Sequence, residues 1–382
     1  MPVSVIVPTY NGEEYVDEAL RSVFDQTALP TEIVVVDDAS TDDTVRRVEH
    51  TVRRAPVPVR LIRLPSNSGG PVRPINVGIE AAESPLIAVL DQDDVLLPSR
   101  IESQASILQK NAHVAFVFGF YVSKAASPSG TGTTYDSDGR DFEDRARRIT
   151  NLFDRQQGFA TCNGLLALRA LIRRNNFVGG FPGFTFRRDH WEQVGGLNER
   201  LSLAADYDLL CSLCRMGDVA VIPEVQYVHR VHAENLSRRR LRLYTDLIEI
   251  LSKNVTEESW PNASREIRRA IANPTYQLAV AFGMSSRWRQ AVQFLAISLA
   301  LGGVQPRNLV RVVDFPLKVA RRKLRPRTAQ PQIVELEQAA HSLETLGGLF
   351  RPVETPHQIA GQVTPLSTQH TRPANHMRTG AA

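Results

Sequence analysis

Four short apolar runs separated by amphipathic stretches fill the first hundred residues, and they restrict the fold more than any other feature of the chain. Val3-Ser4-Val5-Ile6-Val7-Pro8 is β-branched and bounded by proline, the pattern of a buried strand. Residues 12–25 then set Tyr15, Val16, Ala19, Leu20, Val23 and Phe24 at helical spacing. Ile33-Val34-Val35-Val36 predicts a second strand, and Thr41-Asp42-Asp43-Thr44 opens a helix whose acidic first turn suits the positive end of the helix dipole. Residues 59–64 and 86–90 predict two more strands, with a helix over 75–82 between them. Strand and helix in strict alternation need crossover connections, hence a mainly parallel sheet with helices on both faces. Ligands of such sheets bind outside the carboxyl ends of the strands, and the runs at 33–36 and 86–90 both end in acidic residues.

The sharpest of these ends is Leu90-Asp91-Gln92-Asp93-Asp94, followed by Pro98. Three carboxylates in four positions repel one another, and a hard divalent cation, Mg²⁺ or Mn²⁺, resolves the conflict because it prefers oxygen ligands. Mg²⁺ takes few protein carboxylates and completes its shell with substrate phosphate oxygens, so an acidic strand end suits a diphosphate-binding metal site. A solvated acidic turn is the bland alternative. At Val36-Asp37-Asp38-Ala39-Ser40-Thr41-Asp42 a strand-tip carboxylate can accept hydrogen bonds from a base or a ribose hydroxyl, while Ser40 and Asp42 serve equally well as helix caps. Ala204-Ala205-Asp206-Tyr207-Asp208 begins a helix over 204–216. Asp206 there is either a general base toward an acceptor hydroxyl or an acid favourable with the dipole, and Asp208 suits capping or packing. His229-Arg230-Val231-His232 follows a strand and offers groups for phosphate or metal.

Between 113 and 180 the periodicity weakens, and 127–144, rich in Ser, Gly, Thr and Asp, predicts a surface loop. A helix is expected over 187–194, ended by Gly195-Gly196, and short strands over 219–222 and 225–228. Beyond Ser237 the pattern becomes amphipathic helices to about 346, and 351–382 reads as a disordered tail. The chain thus divides into a catalytic unit over 1–237, a helical region over 238–346 and a tail over 347–382.

With 382 residues and a net charge of only +4, the chain has no concentrated basic motif, which argues against a nucleic-acid partner. Three cysteines make no disulfide framework, and the Cys211-x-x-Cys214 pair lacks a second pair at zinc-site spacing, so both pack on a helix face. No secretory leader precedes the first strand, and the best apolar run, 291–304, falls short of the roughly 18 to 20 residues that span a bilayer. A soluble catalytic unit facing the cytoplasm is expected. Residues 287–327 carry Trp288, Val292, Leu295 and Leu299, then a run of Arg and Lys interleaved with apolar residues. Such a segment suits either peripheral contact with an anionic membrane surface or ordinary helix packing on the catalytic unit with solvated arginines.

In their order along about 235 residues, these features resemble family 2 glycosyltransferases of the GT-A fold. Ser4 to Asn11, Glu32 to Ser40 and Leu90 to Asp94 with Pro98 are similar to the opening of that family. Phe186 to Asp189, Val194 to Leu197 and Asp206-Tyr207-Asp208-Leu209 are similar to its second half, and His229 to Ser237 to its close. The resemblance implies a Rossmann-like mixed sheet and an inverting, metal-dependent transfer from a nucleoside diphosphate sugar to a sugar, lipid-linked or other hydroxyl acceptor, in polysaccharide or glycoconjugate synthesis. Pro8, Thr9, Tyr10, Asp37, Asp38, Arg73, Asp91 and Gln92 would bind the donor. Asp93, Asp91 and His232 would hold Mg²⁺ or Mn²⁺, and Asp206 would be the base. The family usually has Glu just before that base, where this chain has Ala205, which leaves a non-catalytic nucleotide-sugar binder as an alternative. A haloacid-dehalogenase-type phosphatase would use Asp91 as a nucleophile, but expects its D-x-D motif on the first strand of the domain, not the fourth. The absence of G-x-G-x-x-G after the first strand disfavours a dehydrogenase.

Overall fold

The computed structural model describes residues 1–125, 154–156, 158–174, 176–201, 203–232, 240–255 and 262–302, with a few isolated positions between 315 and 346. The loop expected at 127–144, the tail at 351–382 and most of the basic segment lie outside the described residues. The first half of the chain builds β1 (Val3–Thr9), α1 (Val16–Phe24), β2 (Glu32–Asp37), α2 (Thr44–Val52), β3 (Val59–Arg63), α3 (Val72–Ala81), β4 (Leu86–Val89), the short β5 (Val95–Leu96) and α4 (Arg100–Lys110). Next come β6 (Val114–Ala125), β7 (Asp154–Arg155), β8 (Ala160–Cys162), α5 (Gly164–Arg174), β9 (Phe184–Arg187), α6 (Arg188–Gln193), α7 (Ala205–Leu213) and β10 (Asp218–Val231). Three helices follow: α8 (Arg240–Val255), α9 (Ala263–Met284) and α10 (Trp288–Gly302).

The strands form one sheet in the order β3-β2-β1-β4-β9-β6-β10-β8-β7, with β5 pairing β10. It is mixed and mainly parallel: the longer ladders, β1 with β2, β2 with β3 and β6 with β10, are all parallel. β9 runs antiparallel between β4 and β6. Because both faces are covered, β1 and β2 are apolar on both faces over Val5–Val7 and Ile33–Val36. Val5, Val7, Ile33 and Val35 pack with α1 and α4, whereas Ile6, Val34 and Val36 pack with α3. The described C-terminal helices join that second cluster through Ile248, Ile271, Phe282 and Phe294, so they share a core with the sheet.

Sequence periodicity missed β6, α5 and β9. Phe116, Phe118, Phe184 and Phe186 are fully buried, and continuous apolar runs lose the alternation that marks a half-exposed strand. The two short strands expected at 219–222 and 225–228 are one strand, β10, which absorbs Pro223 in an irregularity where its register to β6 shifts. Arg100, wholly buried at the start of α4, donates to the carbonyls of Pro182 (3.0 Å) and Phe184 (2.8 Å) and to the Thr185 hydroxyl (2.8 Å). Burial pulls its pKa down to about 9, which leaves it charged at neutral pH. It therefore pins the chain where it enters β9.

Candidate active site

β1 parts from β4 before it parts from β2, and the gap that opens is the crevice. Pairing with β4 ends near Ile6, whose carbonyl accepts the Leu90 N–H at 2.9 Å, while pairing with β2 runs on to Thr9 opposite Asp37. Pro8 sits where the alternation would aim its N–H toward the departed β4, so a proline is tolerated inside a central strand. Strand order also reverses here, with β2 on one side of β1 and β4 on the other, which is where open α/β sheets bind ligands. Beyond the gap the chains are tied again: the Tyr10 N–H donates to Gln92 Oε1 (2.8 Å) and Gln92 Nε2 donates to the Tyr10 carbonyl (2.9 Å). Gly12 lies under this clamp, and a Cβ there would collide with the Gln92 amide.

Several residues expected to contact the donor are hydrogen-bonded within the protein. Thr9 is buried and donates to Asp37 at 3.3 Å. Asp37, 1% exposed, also accepts the Ser40 N–H at 3.1 Å. Asp38, 2% exposed, accepts both the N–H (3.0 Å) and the hydroxyl (2.9 Å) of Ser68, tying the β2 end to the 64–71 loop. Gln92 is likewise occupied by Tyr10. Ala39 between these groups has φ 61, a left-handed conformation that costs a residue with a Cβ about 1–2 kcal/mol and that the surrounding bonds must sustain. Among the expected donor residues, Tyr10 (43% exposed) and Arg73 remain at the surface.

The acidic segment after β4 is a turn, closed by the Asp94 N–H donating to the Asp91 carbonyl at 3.1 Å. The end of β10 folds over it. Asp94, 2% exposed, accepts the Arg230 N–H (2.9 Å) and meets His229 Nδ1 (3.1 Å). Asp93 Oδ2 meets His232 Nε2 at 2.8 Å, and the His232 ring stacks on Tyr15 at 5.0 Å between centroids. Arg230 covers Tyr15 from 5.1 Å and bonds Glu18 at 2.7 Å, so α1, the acidic turn and the β10 end interlock. Burial, then the charges of Asp94 and Asp93, raise the Asp91 pKa well above the usual carboxylate value. Burial opposes the charge on His229, but the Asp94 bond and the surrounding carboxylates outweigh it and raise its pKa.

This donor set fits a divalent cation. Cis ligands about 2.1 Å from an octahedral metal lie ~3 Å apart, close to the separation of Asp93 Oδ2 and His232 Nε2. A cation there would also relieve the repulsion that raises Asp91. The three-residue set expected from sequence is not met: among the described residues no three His, Cys, Asp or Glu side chains converge on one metal position.

Asp206 begins α7 within electrostatic reach of Asp91, whose pKa its charge helps to raise. Burial lifts the Asp206 pKa to about 7, against the backbone N–H groups of Tyr207 and Asp206 and the Asn176 amide, all of which favour the carboxylate. Asn176 Nδ2 donates to Asp206 Oδ2 at 3.1 Å. Sequence reading missed Asn176 and Tyr15, because a single polar or aromatic residue far along the chain carries no periodic signal. Ala205 is 4% exposed and packed in the apolar core, and the Cys211 thiol is buried and pushed up to about 12, a packing group.

Residues 4–168 match the model of the glycosyl transferase family 2. Over 113 residues the chain is 39% identical to poly(ribitol-phosphate) beta-N-acetylglucosaminyltransferase TarS of Staphylococcus aureus, covering 29% of this chain and 19% of that protein. Over 239 residues it is 27% identical to chondroitin synthase of Escherichia coli, covering 63% and 30%. The matched segments thus span less than a third of either relative. Two solved structures share the fold at 19% identity. One is S. aureus TarS 1-349 in complex with UDP-GlcNAc (TM-score 0.55, covering 91% of this chain and 92% of that one). The other is the mannosyltransferase PcManGT from Pyrobaculum calidifontis in complex with GDP-Man and Mn²⁺ (TM-score 0.53, 91% and 86%). Asp206 and His232 lie beyond the residues that the family model matches, so what they do rests on geometry. With a GT-A fold, an acidic turn at its switch point and a match over residues 4–168, the chain is similar to the glycosyl transferases of family 2.

Proposed function

We propose that this protein transfers a glycosyl group from a nucleoside diphosphate sugar to an acceptor hydroxyl, with inversion at the anomeric carbon. The observation that carries the reading is an acidic turn suited to a metal diphosphate within electrostatic reach of a carboxylate whose pKa is near 7. Tyr10 and Arg73, both exposed, take the nucleoside side of the donor together with Thr9, Asp37 and Asp38. Asp93 and His232 hold the cation, and Asp91 lies on the ribose side. A bound Mg²⁺ or Mn²⁺ supplies Lewis-acid stabilisation of the diphosphate leaving group. Asp206 takes the proton of the acceptor hydroxyl as its oxygen forms a bond to the anomeric carbon. The bond from that carbon to the diphosphate oxygen breaks, and the nucleoside diphosphate leaves with the electron pair. A base with pKa near the working pH is the effective one for this step.

The complexes of TarS with UDP-GlcNAc and of PcManGT with GDP-Man and Mn²⁺ support a nucleotide-sugar donor and a divalent cation. The names of TarS and chondroitin synthase support an acceptor on a polymer. We further assign the catalytic unit over 1–237 to the cytoplasmic side, with residues 287–327 meeting the membrane surface. Trp288 (49% exposed) and Val292 (58% exposed), one helical turn apart on α10, support that contact. Among the described residues no helix is long and apolar enough to cross a membrane.

The test is a calorimetric titration of the full chain with UDP-, GDP- and dTDP-sugars, in Mn²⁺ and in EDTA. Binding of one nucleotide class in Mn²⁺ alone is expected. Folded protein that binds none of them would sink the transferase reading.

A further inference from the structure

The base proposed above is held by two elements with no assigned role, and both lie outside the residues that the family model matches. Asn176 follows α5, and its amide orientation is forced. Its Oδ1 accepts the Val178 N–H at 3.0 Å, so Nδ2 must carry the donors. One goes to the Gly179 carbonyl (2.8 Å) and the other to Asp206 Oδ2 (3.1 Å). Every polar group of the side chain is thereby used, and the only bond that reaches past its own loop is the one to Asp206. The loop it orders runs into Pro182 and Phe184, whose carbonyls Arg100 pins from below.

The second element is α8. Asp246, 2% exposed, accepts the Leu203 N–H at 2.8 Å, three residues before the base, and pairs with Arg242 at 3.3 Å. Arg242 in turn donates to the Arg200 carbonyl at 2.6 Å, so α8 grips the chain entering α7 at two points. The titratable groups that face Asp206 are Asp246 from α8, Asp91 from the β4 end, and Tyr207 and Cys211 on its own helix. The two supports act on Asp206 with opposite sign, since Asn176 stabilises its ionised form and the Asp246 charge opposes it.

We propose that Asn176 and Asp246 are positioning residues for Asp206: Asn176 aims the carboxylate through its amide, and Asp246 fixes the approach of the chain to α7. The proposal rests on Asp206 being the base, and its test does not.

The full chain is labelled with [γ-¹³C]aspartate, the spectrum of Asp206→Asn assigns the Asp206 signal, and that signal is titrated in the wild type, Asn176→Ala and Asp246→Asn. Losing one hydrogen bond to a charged acceptor should move the midpoint of Asn176→Ala up by about one pH unit. Asp246→Asn keeps an acceptor for Leu203 and should move the midpoint down. General loosening would hydrate the carboxyl and lower its midpoint, so the rise in Asn176→Ala is diagnostic; Asn176→Leu replaces it if the alanine variant does not fold. Wild-type midpoints in both variants, or a fall in both, would overturn the proposal. Activity separates the two ideas: wild-type turnover by Asp206→Asn sinks the base reading alone, and an inactive Asp206→Asn with unmoved midpoints sinks only the positioning.

Discussion

Replacing Asp206 by Asn should make the protein more stable at alkaline pH while abolishing its work. The Asp206 pKa rises from its ordinary 3.8 to about 7 in the folded chain, because burial disfavours the carboxylate more than its hydrogen bonds favour it. The folded state therefore binds the proton more tightly than the unfolded one. Stability from that proton is fully present below about pH 4 and is lost as pH rises through about 7. A rise of this size corresponds to about 4 kcal/mol at ~1.4 kcal/mol per pH unit, an appreciable part of the roughly 5–15 kcal/mol that holds a domain folded. Asn is neutral at every pH and can still accept from Asn176 Nδ2, so it should escape the loss. Urea unfolding at a series of pH values from 4 to 8 is the assay, since urea leaves ionic strength unchanged. The two proteins should coincide near pH 4, and Asp206→Asn should lead by up to about 4 kcal/mol at pH 8, with transfer at least about a hundredfold lower. Stability curves that stay parallel across the range would refute the argument, because Asp206 would then titrate alike in the folded and unfolded states.

Asp93→Ala should leave donor binding equally weak in Mn²⁺ and in EDTA; calorimetry that still finds a metal-dependent gain would move the cation elsewhere. Gly12→Ala should drive Gln92 off Tyr10, costing about 1–3 kcal/mol in urea unfolding and weakening donor affinity, whereas wild-type values would mean the clamp is dispensable. Arg100→Ala should cost at least about 3 kcal/mol, since it leaves the Pro182 and Phe184 carbonyls and the Thr185 hydroxyl without their donor in a buried site. Trp288→Ser with Val292→Ser should reduce sedimentation with anionic vesicles, and equal sedimentation would assign those residues to packing or to another contact.

The alternating elements of the first hundred residues were legible because each states its own environment. A strand buried on both faces is β-branched throughout, and a helix covering a sheet repeats apolar residues every three or four positions. The middle of the chain was not legible for the same reason. β6 and β9 are so deeply buried that no polar alternation marks them, and the Pro223 break concealed the continuity of β10.

At the site, the sequence by itself determined which titratable residues stand at element ends: Asp37, Asp38, the 91–94 turn and the His229–His232 segment at strand ends, and Asp206 at a helix start. Only the tertiary structure decided what each charge does there. It brings His232 to Asp93 across 139 residues, spends Asp37 and Asp38 on Thr9, Ser40 and Ser68, and closes Gln92 on Tyr10. It also lifts Asp206 toward neutrality by burying it beside Asn176 and within reach of the Asp246 charge. Local pattern records which face of an element avoids water. A pKa or a hydrogen bond depends on which groups meet and how much water remains between them, and long-range packing settles that.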